Sequence, residues 1–133
     1  MNKGPDLRWD VLAVIALGGA LGSLARWSLT LLAHPAPGRF PWATFTANIS
    51  GCLLMGALMV VVLELAPPSR YLRPFLGVGV LGGYTTFSTF MLDLHGLAGG
   101  GHPLLALTYL AGSLVAGLAA VLAGAFAARA VAR

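Results

Sequence analysis

The stretch Gly82-Gly83-Tyr84-Thr85-Thr86-Phe87-Ser88-Thr89-Phe90 decides how this chain is read. It lies within an apolar run, residues 74–98, and a run of ~20 apolar residues is enough to cross a bilayer. Two adjacent glycines followed by two β-branched threonines weaken a helix there. The stretch begins about 8 residues in from Pro74, ~12 Å of helical rise, near the middle of a ~30 Å hydrocarbon core. Lipid penalises unsatisfied polar groups, so a weak helix rich in hydroxyls at that depth needs a reason. A helix broken near the midplane can offer carbonyls to a cation and free N–H groups to an anion. The plainer alternative is a kink made for packing, with the hydroxyls bonded back to the preceding turn.

The rest of the chain supports a membrane setting. Of its 133 residues 58% are hydrophobic and only 9% charged, against roughly 25% charged in a soluble domain. That excludes an ordinary soluble enzyme and a disordered chain. The length accommodates four spans and little else, so a single all-α transmembrane domain over residues 1–133 is expected, with spans at residues 11–33, 42–66, 74–98 and 104–128. Trp9 and Trp27 bracket the core of the first as interfacial aromatics. Lys3 and Arg8 before that run also suit a signal peptide, but Asp6 and Asp10 dilute the basic region and three more spans follow. Pro67 and Pro68 end the second span, and Gly99-Gly100-Gly101 with Pro103 make the last turn. Small residues recur at intervals of four, Gly18 and Gly22 in the first span and Gly112, Ala116, Ala120 and Gly124 in the fourth, a pattern for close helix packing.

The net charge of +4 comes from basic residues scattered at the ends of apolar runs, so it reads as a topology signal and not as a nucleic-acid surface. Lys3, Arg8, Arg70, Arg73, Arg129 and Arg133 fall on the side of the termini, Arg26 and Arg39 on the other. The positive-inside rule puts the termini in the cytoplasm. The single Cys52 forms no internal disulfide.

Polar groups of three spans converge in depth. Thr44 and Asn48 sit one turn apart in the second span, and Thr108, Tyr109 and Ser113 lie in the fourth, level with Phe90 of the third. Hydroxyl and amide groups donate to an anion, and the electropositive edges of Phe rings can face one. Phe87 and Phe90, three apart, bring two rings to one face. Judged singly, each of these residues is explained as well by helix packing. Glu64 reads as reaching the headgroups. Asp93 reads as a partner for Arg26 in a structural ion pair, or for the end of the span near His95. His34, His95 and His102 have no ligand spacing. Motifs for phosphate cradling, nucleophilic catalysis or zinc are missing, so an enzyme is not expected.

At these residues the chain resembles the Fluc/CrcB family of fluoride channels. Gly82 to Phe90 is similar to the family's third-helix signature. Trp42-Ala43-Thr44-Phe45-Thr46-Ala47-Asn48 with Gly51 resembles its second helix, and Gly18-Gly19-Ala20-Leu21-Gly22 with Arg26-Trp27 its first. The resemblance implies a passive, fluoride-selective channel of the cell inner membrane that relieves fluoride toxicity. It implies an antiparallel, dual-topology dimer and a structural Na+ on the dimer axis, held by the backbone carbonyls of Gly82 and Thr85. It assigns the pore to Asn48, Phe87, Phe90, Tyr109 and Ser113, with Thr44, Thr86, Ser88 and Thr89 as weaker candidates, and gives Arg26 a structural role. An antiparallel homodimer needs balanced Lys and Arg, and the bias here leaves a heterodimer with a homologous chain as the alternative. Two competing readings are a small multidrug-resistance-type exporter, which needs a buried Glu that residues 11–33 lack, and a structural subunit of a larger membrane complex.

Overall fold

The computed structural model describes residues 8–33, 36–65 and 69–132. Lys3, Asp6, His34, Pro67, Pro68 and Arg133, on which parts of the sequence reading rest, lie outside them. Helix α1 spans Trp9–Ala33 and α2 spans Trp42–Val60, winding on as a π-helix over Val61–Leu65. Helix α3 is π-helical over Arg73–Leu81 and passes into a short α-helical turn, Gly82–Tyr84. Helices α4, Ser88–Gly99, and α5, Pro103–Val131, complete the chain. Four stretches are long and apolar enough to cross a membrane: Trp9–Ala33, Trp42–Glu64, Arg73–Gly99 and Pro103–Val131. Large apolar side chains such as Leu17, Leu24, Leu114 and Leu118 are exposed, as suits helices whose outer surface meets acyl chains.

Glycine decides how the helices meet. α1 packs along α3 and α2 along α5. A Cβ on Gly79 would lie 2.8 Å from the Ile15 carbonyl oxygen, and one on Gly18 only 2.5 Å from that of Phe75. Gly22 and Gly83 press equally closely on the carbonyls of Val80 and Gly19, so α1 and α3 touch backbone to backbone. Gly56 and Gly124 do the same for α2 and α5, against Val121 and Leu53. The α5 seam is Gly117, Ala120 and Gly124, all buried. It leaves out Gly112, where a Cβ would meet nothing within 4 Å. Only the C-terminal half of the small-residue stripe therefore makes this contact.

At one end of the bundle, ion pairs join neighbouring segments. Arg70 pairs with Asp10, whose carboxylate also accepts the Tyr71 hydroxyl at 2.8 Å. That bond holds the Tyr71 phenol above its ordinary pKa. Glu64 is bonded by Arg129 through two nitrogens, at 2.7 and 3.1 Å, instead of reaching freely toward headgroups. At the opposite end the turns take positive φ at Gly38 (72°) and Gly101 (85°), a conformation that favours glycine.

Candidate functional site

The site begins where α3 ends. Thr85 leaves the helix with φ −80° and ψ 158°, an extended conformation, and regular helix resumes at Ser88. Side chains from α1 and α2 satisfy the backbone around this point. Asn48 Nδ2 donates to the Thr86 carbonyl at 2.9 Å, and Thr86 N donates to Asn48 Oδ1 at 2.8 Å. The amide thus imitates a strand partner for one residue. Arg26 Nε donates to the Gly83 carbonyl at 3.2 Å, with Ser23 Oγ on the same oxygen at 3.5 Å. Ser50 Oγ donates to the Thr46 carbonyl at 2.6 Å, so the 2.8 Å contact between its oxygen and the Tyr84 hydroxyl uses the tyrosine's proton. Thr86 Oγ1 accepts from Thr89 N at 3.2 Å and caps the start of α4. It also bonds the hydroxyls of Thr89 and Ser88, at 3.2 and 3.3 Å.

These bonds correct the sequence reading in two places. Arg26 does not pair with Asp93; it is drawn to the Gly83 carbonyl, where a free acceptor at the end of a helical turn offers it a charge-assisted bond. Asp93 instead accepts the Tyr109 hydroxyl at 3.4 Å. Thr108 is exposed on the single chain, and its hydroxyl donates back to the Leu104 carbonyl at 2.8 Å.

The aromatic part of the site is compact. Tyr109 is 0% exposed and Phe90 7%, with ring centroids 5.0 Å apart. Phe87 stands 6.2 Å from Phe90 and is 74% exposed on the single chain. Phe40, from the loop before α2, meets the Tyr109 ring edge-on at 5.2 Å. Thr44, buried, lies beside the Tyr109 hydroxyl. Ser113 Oγ, one turn beyond Tyr109, is buried without a hydrogen-bond partner among the described residues. An orphaned hydroxyl at that level is a donor left for something else. Asn48 is half-buried, and so is Thr89. The structure therefore brings Thr44, Phe90 and Tyr109 into direct contact, ties Asn48 and Thr89 to Thr86, and leaves Phe87 and Ser88 on the open face of the chain.

A cleft of about 790 Å³ opens beside this cluster, at the end of the bundle away from the ion pairs. Thr44, Thr89 and Asp93 line its wall, and Arg39 and His102 lie at its loops. Sequence reasoning missed this cleft and the part that Phe40 plays in closing the aromatic cluster. The signal for Phe40 was faint: one aromatic among three prolines in a loop. Among the described residues, His, Cys, Asp and Glu side chains form no group able to hold a metal. The acceptors suited to a hard monovalent cation are neutral backbone carbonyls at the end of α3, where the helix dipole is negative.

Comparison with known proteins gives a consistent answer. The family described as "CrcB-like protein, Camphor Resistance (CrcB)" matches residues 13–125. A protein of Streptomyces avermitilis named fluoride-specific ion channel FluC 2 is 51% identical over 78% of this chain; the match spans 66% of that protein's length. A FluC 2 of Nocardia farcinica is 49% identical over 94% of this chain and 89% of its own. A FluC 1 of Streptomyces coelicolor is 47% identical, covering 91% and 79% respectively.

Proposed function

Since the chain belongs to the CrcB family, we propose that it is a passive, fluoride-selective channel that exports cytoplasmic fluoride and confers fluoride resistance. It is a multi-pass membrane protein, and its placement in the cell inner membrane is part of this proposal. The observation that carries the reading is the cluster of uncharged donors and ring edges, Thr44, Phe90, Tyr109 and the orphaned Ser113 hydroxyl, beside the strapped segment Thr85–Phe87.

The physics of export is simple. Hydrogen fluoride forms in acid outside, crosses lipid uncharged and ionises in the more alkaline cytoplasm. A cell negative inside then loses the anion through a pore with no energy input, helped by ~2.3 kcal/mol per charge per 100 mV. A small anion gives up its water only where several donors replace it, and it must not be held too tightly to leave. Neutral hydroxyls and ring edges meet both conditions better than a fixed positive charge. Phe87, exposed on the single chain, belongs in this reading to a pathway completed by a second subunit. That subunit is inserted antiparallel, as a homodimer, with a homologous chain as the alternative partner.

The third span, broken near the midplane, serves two ends. Asn48 holds the N–H of the Thr85–Thr86 peptide, which orients the Thr85 carbonyl, and Arg26 holds the Gly83 carbonyl one residue after Gly82. The neutral Gly82 and Thr85 oxygens suit Na+, which demands hard donors and here would complete its shell from two subunits. The ion would supply positive charge between two anion pathways. No step of conduction requires a residue to change protonation, which separates this reading from a proton-coupled exporter.

The experiment is complementation. Expression of this chain in cells made fluoride-sensitive by loss of their own exporter restores growth in millimolar fluoride, and expression of F87I does not. Equal growth with and without the chain would overturn the reading.

A further inference from the structure

We infer that the corner where α1 and α3 begin binds the headgroup of an anionic phospholipid. The inference rests on the membrane reading of the chain and is independent of fluoride conduction. Arg8 precedes α1, Asp10 lies in its first turn, Arg70 stands in the link before α3, and Arg73 is the first residue of α3. Asp10 ties the two segments together, accepting from Arg70 and, at 2.8 Å, from the Tyr71 hydroxyl. Arg70 spends only Nη2 on that bond, and its guanidinium carbon stands 5.3 Å from the centre of the Tyr71 ring. Arg8 lies close enough for its charge to act on the same phenol. Asp10 cancels the charge of Arg70. Arg8 and Arg73 are exposed and have no carboxylate partner among the described residues, so their positive charges stay uncompensated.

The backbone adds to this field. α1 and α3 run side by side in one direction, Gly18 against Phe75 and Gly79, Gly22 against Val80 and Tyr84. Their N-termini, the positive ends of two helix dipoles, therefore lie together. At the same end of the bundle Glu64 and Arg129, from α2 and α5, balance each other. The positive field is thus confined to one corner. Guanidinium groups match the oxygens of a phosphate better than any other side chain. The corner also sits at headgroup level, where two apolar stretches, Trp9–Ala33 and Arg73–Gly99, begin. Trp9, 73% exposed, and Tyr71, 42% exposed, are the amphipathic rings that settle at that level. Leu12, one turn further along α1, is exposed as well and offers acyl chains a surface. A free phosphate would use the arginines alone. A phospholipid uses the arginines, the rings and the apolar surface together.

Trp9 reports on the site directly. In the full chain carrying W27F and W42F it is the one tryptophan left. The protein is placed in vesicles where either phosphatidylglycerol or phosphatidylcholine carries bromine high on its acyl chains, at equal mole fraction, and quenching of Trp9 is read. Brominated phosphatidylglycerol quenches with a relative association constant severalfold above that of phosphatidylcholine. R8Q and R73Q each lower the preference about fivefold or to unity, the fold-change of one basic residue near an anionic surface. R39Q, at the opposite end, and R129Q, paired with Glu64, keep it. Millimolar inorganic phosphate does not abolish it; abolition would assign the corner to a soluble anion and overturn the lipid. Equal quenching by the two lipids, or a preference unchanged in R8Q with R73Q, overturns the site. Native mass spectrometry of the unsubstituted protein gives a second readout should the tryptophan variant fail to fold. Phosphatidylglycerol stays bound where phosphatidylcholine leaves, and equal retention overturns the inference. Fluoride flux enters neither measurement, so failure here leaves the channel reading standing.

Discussion

At the scale of single residues, Asn48 and Phe87 separate structure from conduction. Asn48 satisfies both backbone polar groups of Thr86. N48A leaves them unpaired, and an unsatisfied buried donor or acceptor costs ~1–3 kcal/mol. The variant therefore unfolds at lower temperature and conducts poorly, and N48D, which keeps the acceptor for Thr86 N, recovers part of the stability. Circular dichroism melts in detergent and flux in vesicles check the two halves. Phe87 behaves differently, because it is 74% exposed and packs little within its own chain. F87I changes the melting of the single chain by no more than ~0.5 kcal/mol, as at a surface site. It cuts fluoride flux about tenfold, a barrier rise of ~1.4 kcal/mol. A parallel loss of stability and flux in F87I would place the ring in the core instead. The residue types of this site were legible from sequence, because hydroxyls and an amide at membrane depth stand out against an apolar background. Their partners were not. Arg26 looks like the partner of Asp93 when only opposite charges are matched, but spacing along α1 gives no hint that a backbone oxygen of Gly83 lies nearer.

At the scale of elements, glycine contacts discriminate between faces of the same helix. Gly22 and Gly124 press on backbone carbonyls, which cannot move aside. G22A and G124A each destabilise by ~1–3 kcal/mol, the usual range for overpacking. G112A has open space at its Cβ and gains helix propensity, so it is neutral or slightly stabilising. Thermal unfolding of the three variants side by side checks the ordering; equal losses in all would mean that the α5 seam is misassigned. The repeat at intervals of four predicted close packing correctly but not its extent, since periodicity fixes a face and not how far along it a neighbour lies. The π-helical winding of Arg73–Leu81 left no mark in the sequence either. Gly79 and Gly83 meet α1 backbone to backbone, a fit that only the packed pair reveals.

At the scale of the whole molecule, charge and symmetry pull against each other. Arg8, Arg70, Arg73 and Arg129 lie toward one end of the bundle and Arg39 toward the other, while Arg26 is spent on a carbonyl in between. Arg70 and Arg129 are paired with acids. Such half-exposed pairs are screened by solvent, so E64Q barely shifts stability. Insertion of this chain in both orientations nevertheless follows from the proposed homodimer, and a cysteine added at the C-terminus reacts with impermeant maleimide from both sides of the membrane. Labelling from one side alone would select the heterodimer. Replacing Na+ with a large organic cation loosens the dimer on size exclusion if carbonyls of Gly82 and Thr85 hold the ion. Four apolar helices were plain from composition; the assembly was not, because the residues that would face a second subunit look like those that face lipid. The most direct measurement compares fluoride with chloride in vesicles that contain this protein alone, each anion driven out by the same K+ diffusion potential. Rapid fluoride efflux, negligible chloride efflux and no need for a proton gradient are expected. Chloride leaving as fast as fluoride would contradict the fluoride reading.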